Sequence, residues 1–194
     1  MATYDDKQLL EMFAREDDRD RAFALILEKY SRRIYWVIRK MVVSHHDADD
    51  LTQNVMLKLW TSLPGFRGEA GLYTWIYRIA INESLSFLRS KRSRFFVSLS
   101  AEDLSRELTN MLAGEDLYDG NEIQKALDTA VLRLPTRQRL VFNMRYYDEM
   151  PYEKMEEVLG TSQGSLKASY HHAVKKVEQW VEEEIGRSGK NNTE

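Results

Sequence analysis

Residues 152–183, YEKMEEVLGTSQGSLKASYHHAVKKVEQWVEE, read as two helices parted by a tight turn. In the first, Tyr152, Met155, Val158 and Leu159 recur at helical spacing, and Gly160 follows as a stop signal. Thr161 or Ser162 offers a hydroxyl to cap the second helix. There Leu166, Tyr170, Ala173, Val177 and Trp180 step by three or four along one apolar stripe. The other side carries Lys167, His171 and Lys175 at intervals of four, flanked by Gln163, His172 and Lys176. A short helix, a glycine turn and a helix with a greasy back and a cationic front make a helix-turn-helix reading head. The major groove admits one such helix, whose outer side chains reach phosphates and base edges. The competing interpretation is a plain helical pair with a solvated basic side. On these residues alone the two are balanced.

Upstream of the pair, Ile123, Leu127, Val131 and Leu134 repeat as a helix, with Asn121 as its expected cap and Pro135 as its expected end. A further helix over about Arg137 to Tyr147 carries Leu140, Val141 and Met144. Before these, Phe95 to about Gly120 is rich in Ser, Glu, Asp and Gly and keeps only a loose apolar period, so it reads as an acidic linker. The fold class expected is all-α: two small helical domains joined by an acidic flexible linker, the C-terminal one containing the helix-turn-helix. The divisions are 1–94, a linker at 95–121, 122–186, and a disordered tail at 187–194.

In the N-terminal part a short helix opens at Asp5 and Asp6, and a long one follows from about Arg21 to Val43. The helix from about Ala48 to Ser62 separates into faces. Ala48, Leu51, Val55 and Leu59 point to a core; Asp50, Gln53, Asn54 and Leu57 form an acidic, amide-rich side with one exposed leucine. That side is either a partner's docking face or an ordinary wet one, and by itself the wet one is favoured. After the breakers Pro64, Gly65, Gly68 and Gly71 comes a helix dense in aromatics. Phe66, Tyr73, Trp75 and Tyr77 alternate with Arg67 and Arg78, and the helix ends in Arg89, Lys91, Arg92 and Arg94. Aromatics interleaved with cations suit a surface that stacks on unpaired bases and holds their phosphates. Inward packing of Trp75 and Ile79, and a helix end answering its own dipole, account for part of the same pattern.

The bulk numbers narrow the classes. At 194 residues the chain suits one ordinary domain or two small ones. No cysteine is present, which excludes disulfides and thiolate metal sites and makes a cytoplasmic location the natural expectation. Neither a membrane-spanning apolar run nor a signal-peptide pattern is visible. The net charge is −3, with 28 Lys and Arg against 31 Asp and Glu. A protein gripping DNA unaided normally carries a cationic excess, so this one is expected to need a partner that completes the interface.

Taken together, DADDLTQNVMLKLW (47–60), FRGEAGLYTWIYRIAINESLSFLR (66–89) and LPTRQRLVFNMRYYDEMPYEKMEEVLGTSQGSLK (134–167) resemble the extracytoplasmic-function (ECF) group of bacterial RNA polymerase sigma factors. The resemblance implies a transcription initiation factor that binds core RNA polymerase, directs it to promoter DNA and helps melt the minus-ten element. It implies that Asp47, Asp50, Gln53, Asn54 and Leu57 dock on the polymerase, which reverses the earlier preference for a wet face. It implies that Phe66, Ile79 and Asn82 line a pocket for a flipped base, within a minus-ten surface that includes Arg67, Tyr73, Trp75, Tyr77 and Arg78. Arg89, Lys91, Arg92 and Arg94 would hold phosphates near the duplex–bubble junction. The minus-thirty-five element would meet Ser162, Gln163, Ser165, Lys167, His171, His172, Lys175 and Lys176. Ser169 and His172 stand where many members have arginines, so more phosphate gripping than guanine readout is implied. No catalytic residue, metal or cofactor is expected, and an anti-sigma factor, often membrane-tethered, is the implied negative partner.

Two rivals differ in class. A self-sufficient helix-turn-helix regulator would need a dimer surface to space two heads, and no sustained heptad supplies one. A metal-dependent hydrolase built on His45, His46, Asp47, Asp49 and Asp50 fails on geometry, because adjacent helical residues fan around the axis.

Overall fold

The structure, a computed structural model, describes residues 4–42, 44–95 and 122–191; of residues 91–95, 122 and 187–191 only the backbone is described. All regular structure among the described residues is helical. The expected linker lies almost wholly outside them, as does the expected cap Asn121.

Helix α1 (Asp6–Phe13) begins with a reciprocal cap: Asp5 Oδ1 accepts from the Gln8 amide at 2.8 Å, and Gln8 Oε1 accepts from the Asp5 amide at 2.9 Å. A 3-10 turn (Glu16–Asp18) leads into α2 (Arg19–Arg39). That helix stops short of the expected Val43, its last turn tightening through Met41 N to Ile38 O at 2.8 Å. Ser44 Oγ caps α3 (His45–Ser62) by accepting from the Asp47 amide at 3.3 Å. A second 3-10 turn (Leu63–Gly65) precedes the loop to α4 (Leu72–Phe95). These four helices close on one core that includes Ile26, Ile34, Val55, Leu59, Ile76 and Ala80.

The second block comprises α5 (Glu122–Arg133), α6 (Thr136–Tyr146), α7 (Tyr152–Leu159) and α8 (Gln163–Asn191). Helix α5 stops at Arg133, two residues before Pro135, as expected of a helix that runs into a proline; Pro135 also stands at the entry to α6 with φ −51°. A residue without an N–H fits there, where that donor would have no partner within the helix. Gly160 takes φ +61° and closes α7, its amide donating to Glu156 O at 2.8 Å. Of the two candidate caps for α8, Ser162 is the one used, its Oγ accepting from the Ser165 amide at 3.5 Å. Thr161 instead donates back to Leu159 O. Helix α8 runs through Gly186 to Asn191, into the stretch expected to be a disordered tail. Gly186 and Gly189 each weaken a helix by only about 1 kcal/mol, and no proline follows to break it.

Around Ala130, Val131, Leu134, Phe142, Ala173 and Val177 the second block has its own core. At its edge Tyr147 donates to Asp128 Oδ1 at 3.0 Å. Burial raises the Asp128 carboxyl above its ordinary value, against the pull of that hydrogen bond and of Arg39. A raised folded value means that ionisation opposes folding. Stability from this group is therefore full below the unfolded carboxylate range and declines as pH climbs through the folded value. Asp128→Asn keeps an acceptor for Tyr147 and removes the charge. It is expected to raise Tm by about 1–4 °C at neutral pH and to remove this decline from a calorimetric pH series.

Sequence leaves the relative placement of the two blocks open; the structure packs them together. Val37 and Met41 from α2, with Tyr77 and Ile81 from α4, meet Leu140, Val141 and Met144 of α6, Met155 and Val158 of α7, and Leu166 of α8 in one buried cluster. Each large apolar side chain fully removed from water there contributes about 1.5–3 kcal/mol.

Candidate nucleic-acid interface

Helix α3 turns Ala48, Leu51, Val55 and Leu59 inward, so Asp50, Gln53, Asn54 and Leu57 are left outside, all exposed. Leu57 is 67% exposed, the largest value among the described large apolar residues singled out as exposed. Asp47 is half-buried, with its amide held by Ser44. His45 and His46 pair along the helix with Asp49 and Asp50, each at 3.6 Å. No group of three or more metal-ligating side chains able to hold an ion occurs among the described residues.

The aromatic segment divides. Phe66 and Trp75 are half-buried with ring centroids 5.1 Å apart, and Gly68 gives the intervening loop a backbone of φ +73°. Arg67 is exposed; Ile79 is half-buried against the first core; Asn82 is exposed. Phe66, Ile79 and Asn82 thus present two half-sunk apolar side chains and one open amide on the loop and the adjoining turns of α4. Beside Asn82, Glu83 is engaged by Lys58 of α3. Tyr73 stacks on Tyr30 at 5.8 Å, with the Arg33 guanidinium 5.7 Å from its ring centre. Arg89 is exposed and bonds locally, to Leu85 O and Ser86 Oγ. Lys91, Arg92 and Arg94 belong to α4, but their side chains fall outside those described.

Between α1 and this loop lies a cleft of about 400 Å³, floored by Leu10, Phe13 and Leu63 and bordered by Phe66, Arg19 and Arg67. Arg19 is fixed there by two contacts with one residue. Its guanidinium sits 5.3 Å over the Phe13 ring, and its Nε donates to Phe13 O at 3.5 Å.

Two residues expected to face DNA are covered by the second block. Tyr77 is 1% exposed. Its hydroxyl donates to Asp148 Oδ2 at 2.8 Å, and Lys40 Nζ holds Oδ1 of the same carboxylate at 2.5 Å. Burial, then the charge of Asp148, pushes the Tyr77 phenol well above its ordinary value, so it remains a neutral donor. Arg78 Nη2 donates to Glu157 O of α7 at 2.7 Å. The aromatic period predicted exposure because an aromatic with a polar tip suits a protein junction as well as a base.

The bonds across the junction continue. Asn143 Nδ2 donates to Lys40 O at 2.9 Å, and Arg139 Nη1 to Met41 O at 3.0 Å. Arg139 also reaches Leu132 O and Leu134 O, so one guanidinium ties α2 to the α5–α6 turn. Burial pushes its guanidinium down to about 10, still charged at neutral pH. Sequence reasoning passed over Lys40, Arg139, Asn143 and Asp148. The available signal was a second apolar line on α2 and α4, namely Val37, Met41, Tyr77 and Ile81, which the first core does not use.

On the reading helix, Ser162, Ser165, Lys167, His171, His172 and Lys175 are exposed. Lys167 Nζ sits 5.5 Å over the Tyr152 ring, and the rings of His171 and His172 lie 6.0 Å apart. Gln163 and Lys176 are engaged within the fold. Gln163 Nε2 donates to Glu156 Oε2 at 2.9 Å, and Lys176 Nζ to Gln138 Oε1 at 3.0 Å. The cationic face therefore reduces to Lys167, His171, His172 and Lys175.

Residues 26–94 match the family model for Sigma-70 region 2, and residues 124–177 that for Sigma-70, region 4. The chain is 29% identical over 174 residues to the RNA polymerase sigma-H factor of Pseudomonas aeruginosa, covering 87% of this chain and 89% of that protein. Against the ECF RNA polymerase sigma factor SigW of Bacillus subtilis it is 27% identical over 165 residues, covering 81% and 87%. Against the ECF RNA polymerase sigma-E factor of Escherichia coli K12 it is 25% identical over 191 residues, covering 94% and 97%. Two solved structures share the fold, each with a TM-score of 0.64. One is the sigma factor RpoE in complex with the anti-sigma factor NepR from Bartonella quintana, at 18% identity over 82% of this chain and 96% of that one. The other is CnrH in complex with the cytosolic domain of CnrY, at 19% identity over 91% and 97%.

Proposed function

The chain belongs to the ECF group of the sigma-70 family, transcription initiation factors that direct RNA polymerase to promoters, and from that membership we propose how its surfaces share the task. Core polymerase docks on Asp47, Asp50, Gln53, Asn54 and Leu57. The exposed Leu57 on an otherwise polar face carries this assignment, since a lone leucine among amides and acids suits a desolvated centre with a polar rim. A base flipped from the non-template strand enters between Phe66 and Ile79, with the Asn82 amide reading its edge. Flipping costs a few kcal/mol, which stacking and one amide bond offset.

Arg67, Tyr73 and Trp75 extend that surface, and Arg89, Lys91, Arg92 and Arg94 hold phosphates beyond it. Tyr77 and Arg78 can join only after α7 leaves them, so strand capture goes with a parting of the two blocks. Lys167, His171, His172 and Lys175, with Ser162 and Ser165, meet the minus-thirty-five duplex. In this reading the blocks are 1–94 and 122–186, the chain itself makes or breaks no bond, and nucleotidyl transfer belongs to the polymerase. The protein works where polymerase and chromosome are, in the cytoplasm. No helix among the described residues is long and apolar enough to cross a membrane. RpoE of Bartonella quintana was solved with an anti-sigma factor, and we extend a negative partner of that kind to this chain.

Run-off transcription with matched core polymerase tests the reading. Asn82→Ala is expected to keep core binding and to lower open-complex formation about tenfold, the worth of one base contact. A chain that adds nothing to polymerase on any promoter library, yet shifts specific DNA alone, would be an autonomous regulator instead.

A further inference from the structure

We propose that His171 and His172 make the grip on promoter DNA proton-linked, each imidazole taking up a proton as it meets a phosphate of the duplex, so that binding tightens as pH falls; this rests on the assignment of α8 to the minus-thirty-five duplex. Of the chain's four histidines, His45 and His46 already lie 3.6 Å from Asp49 and Asp50. His171 and His172 are exposed, and among the described residues neither is hydrogen-bonded or ion-paired. His171 falls midway between Lys167 and Lys175 along one line of α8, and the His172 ring lies 6.0 Å from its own. Half of the open cationic front is therefore fixed in charge and half is imidazole. Imidazole is the side chain whose ordinary titration falls between pH 5 and 8.

The charged groups that neighbouring elements bring to α8 are mostly engaged. On α7, Glu156 holds Gln163 at 2.9 Å and Glu157 holds Lys154 at 2.6 Å, while Glu153 is exposed in the first turn. On α6, Arg145 lies 5.5 Å over the Tyr152 ring and Gln138 holds Lys176. On α5, Arg133 lies over Trp180 and Asp128 accepts from Tyr147. Behind the front, Tyr170 neighbours Tyr152, Arg145 and Tyr146, and burial pushes its phenol up, so it stays neutral. Along α8 itself the first carboxylate is Glu178, beyond Lys176. Each cation seated on a phosphate releases condensed counterions; an imidazolium does so, and a neutral imidazole does not. A phosphate against the ring favours the protonated form, and by linkage the same free energy returns as affinity for DNA. An arginine in either place would stay charged throughout, whereas an imidazole makes the contact conditional. In a chain of net charge −3, counted with histidine neutral, two added cations on one helix face are a large change.

The test is anisotropy of a labelled duplex that carries the minus-thirty-five element and ends short of the minus-ten element. Holoenzyme is titrated onto it at about pH 6 and about pH 8, over a series of salt concentrations. Wild type is expected to bind about tenfold more tightly at the lower pH. Its slope of log affinity against log salt should steepen there by about 2, one for each imidazolium on a phosphate. His171→Gln/His172→Gln keeps hydrogen-bonding groups at both exposed positions and should cut the ratio between the two pH values to about 1. His171→Lys/His172→Lys fixes both charges and should show the steeper slope at either pH. The proposal is overturned if wild-type affinity and slope are the same at both, or if the glutamine variant follows wild type, which would put the titrating group outside α8. It is equally overturned if the glutamine variant changes the preferred sequence and leaves the pH ratio intact, since the imidazoles would then read bases while neutral. Lys167→Ala/Lys175→Ala separates this from the assignment beneath it. Weaker binding at both pH values keeps α8 on the duplex even where the proton link fails; wild-type binding at both removes α8 from the duplex, and this proposal with it.

Discussion

A Leu57→Asp chain is expected to lose its hold on core RNA polymerase and to keep its fold. Leu57 is 67% exposed on α3, and none of the buried clusters includes it, so the substitution removes no internal packing. Thermal unfolding should move by no more than about 1 °C. In the complex the arithmetic changes sign. The lost apolar burial is worth about 1.5–3 kcal/mol, and a carboxylate without a partner at the centre of an interface adds several more. Together these weaken docking by at least about a hundredfold, and Gln53→Ala in the same chain removes a neighbouring amide and deepens the loss. Fluorescence anisotropy with labelled sigma factor and core polymerase measures it directly. Wild-type affinity in the double variant would show that polymerase uses another surface.

The second large effect concerns the junction. Tyr77 and Arg78 are covered by the helix-turn-helix block, whereas Asp50, Gln53, Asn54 and Leu57 are open in the same arrangement. Fastening the blocks together should therefore spare docking and stop strand capture. The chain has no cysteine, so Lys40→Cys/Asp148→Cys gives two thiols that a short bis-maleimide can join without side reactions. The joined protein is expected to bind core polymerase through α3 and to give open complexes only at background, a loss of more than about a hundredfold. The unjoined double variant should remain active, because losing the Lys40–Asp148 ion pair and the Tyr77–Asp148 hydrogen bond favours the open population that capture draws on. Permanganate reactivity of unpaired thymines reads the difference. If the joined chain melts promoters normally, capture does not require the blocks to part, and Tyr77 and Arg78 take no part in it.

Much of this architecture was legible because its causes are local. Ala48, Leu51, Val55 and Leu59 repeat at helical spacing, which fixes by elimination the side of α3 that stays wet. Gly160 could be read as a stop because a left-handed turn costs glycine little. Pro135 could be read as the end of α5 for an equally local reason, since the residue before a proline is pushed out of helical geometry, and the same missing N–H suits the start of α6. What remained hidden was non-local. The bond from Asn143 to Lys40 spans 103 positions, and that between Lys40 and Asp148 spans 108. No periodicity within a helix announces such a partner. Tyr77 shows the consequence, for its spacing and chemistry fitted DNA while its surroundings belong to the protein.

Helix α2 does not finish on its own groups. The carbonyls of Lys40 and Met41, left over at its end as at any helix end, are taken by Asn143 and Arg139 from the other half of the molecule. Once the halves separate, that turn must exchange both bonds for water, and it is the turn that leads to Ser44 and the start of α3. The chain thus carries its own gauge of opening. Amide hydrogen exchange in residues 40–47 should quicken with separation, while the middle of α2, anchored by Ile26 and Ile34, stays slow. The same wiring runs in reverse, since any partner that steadies this turn weighs on whether the halves stay joined.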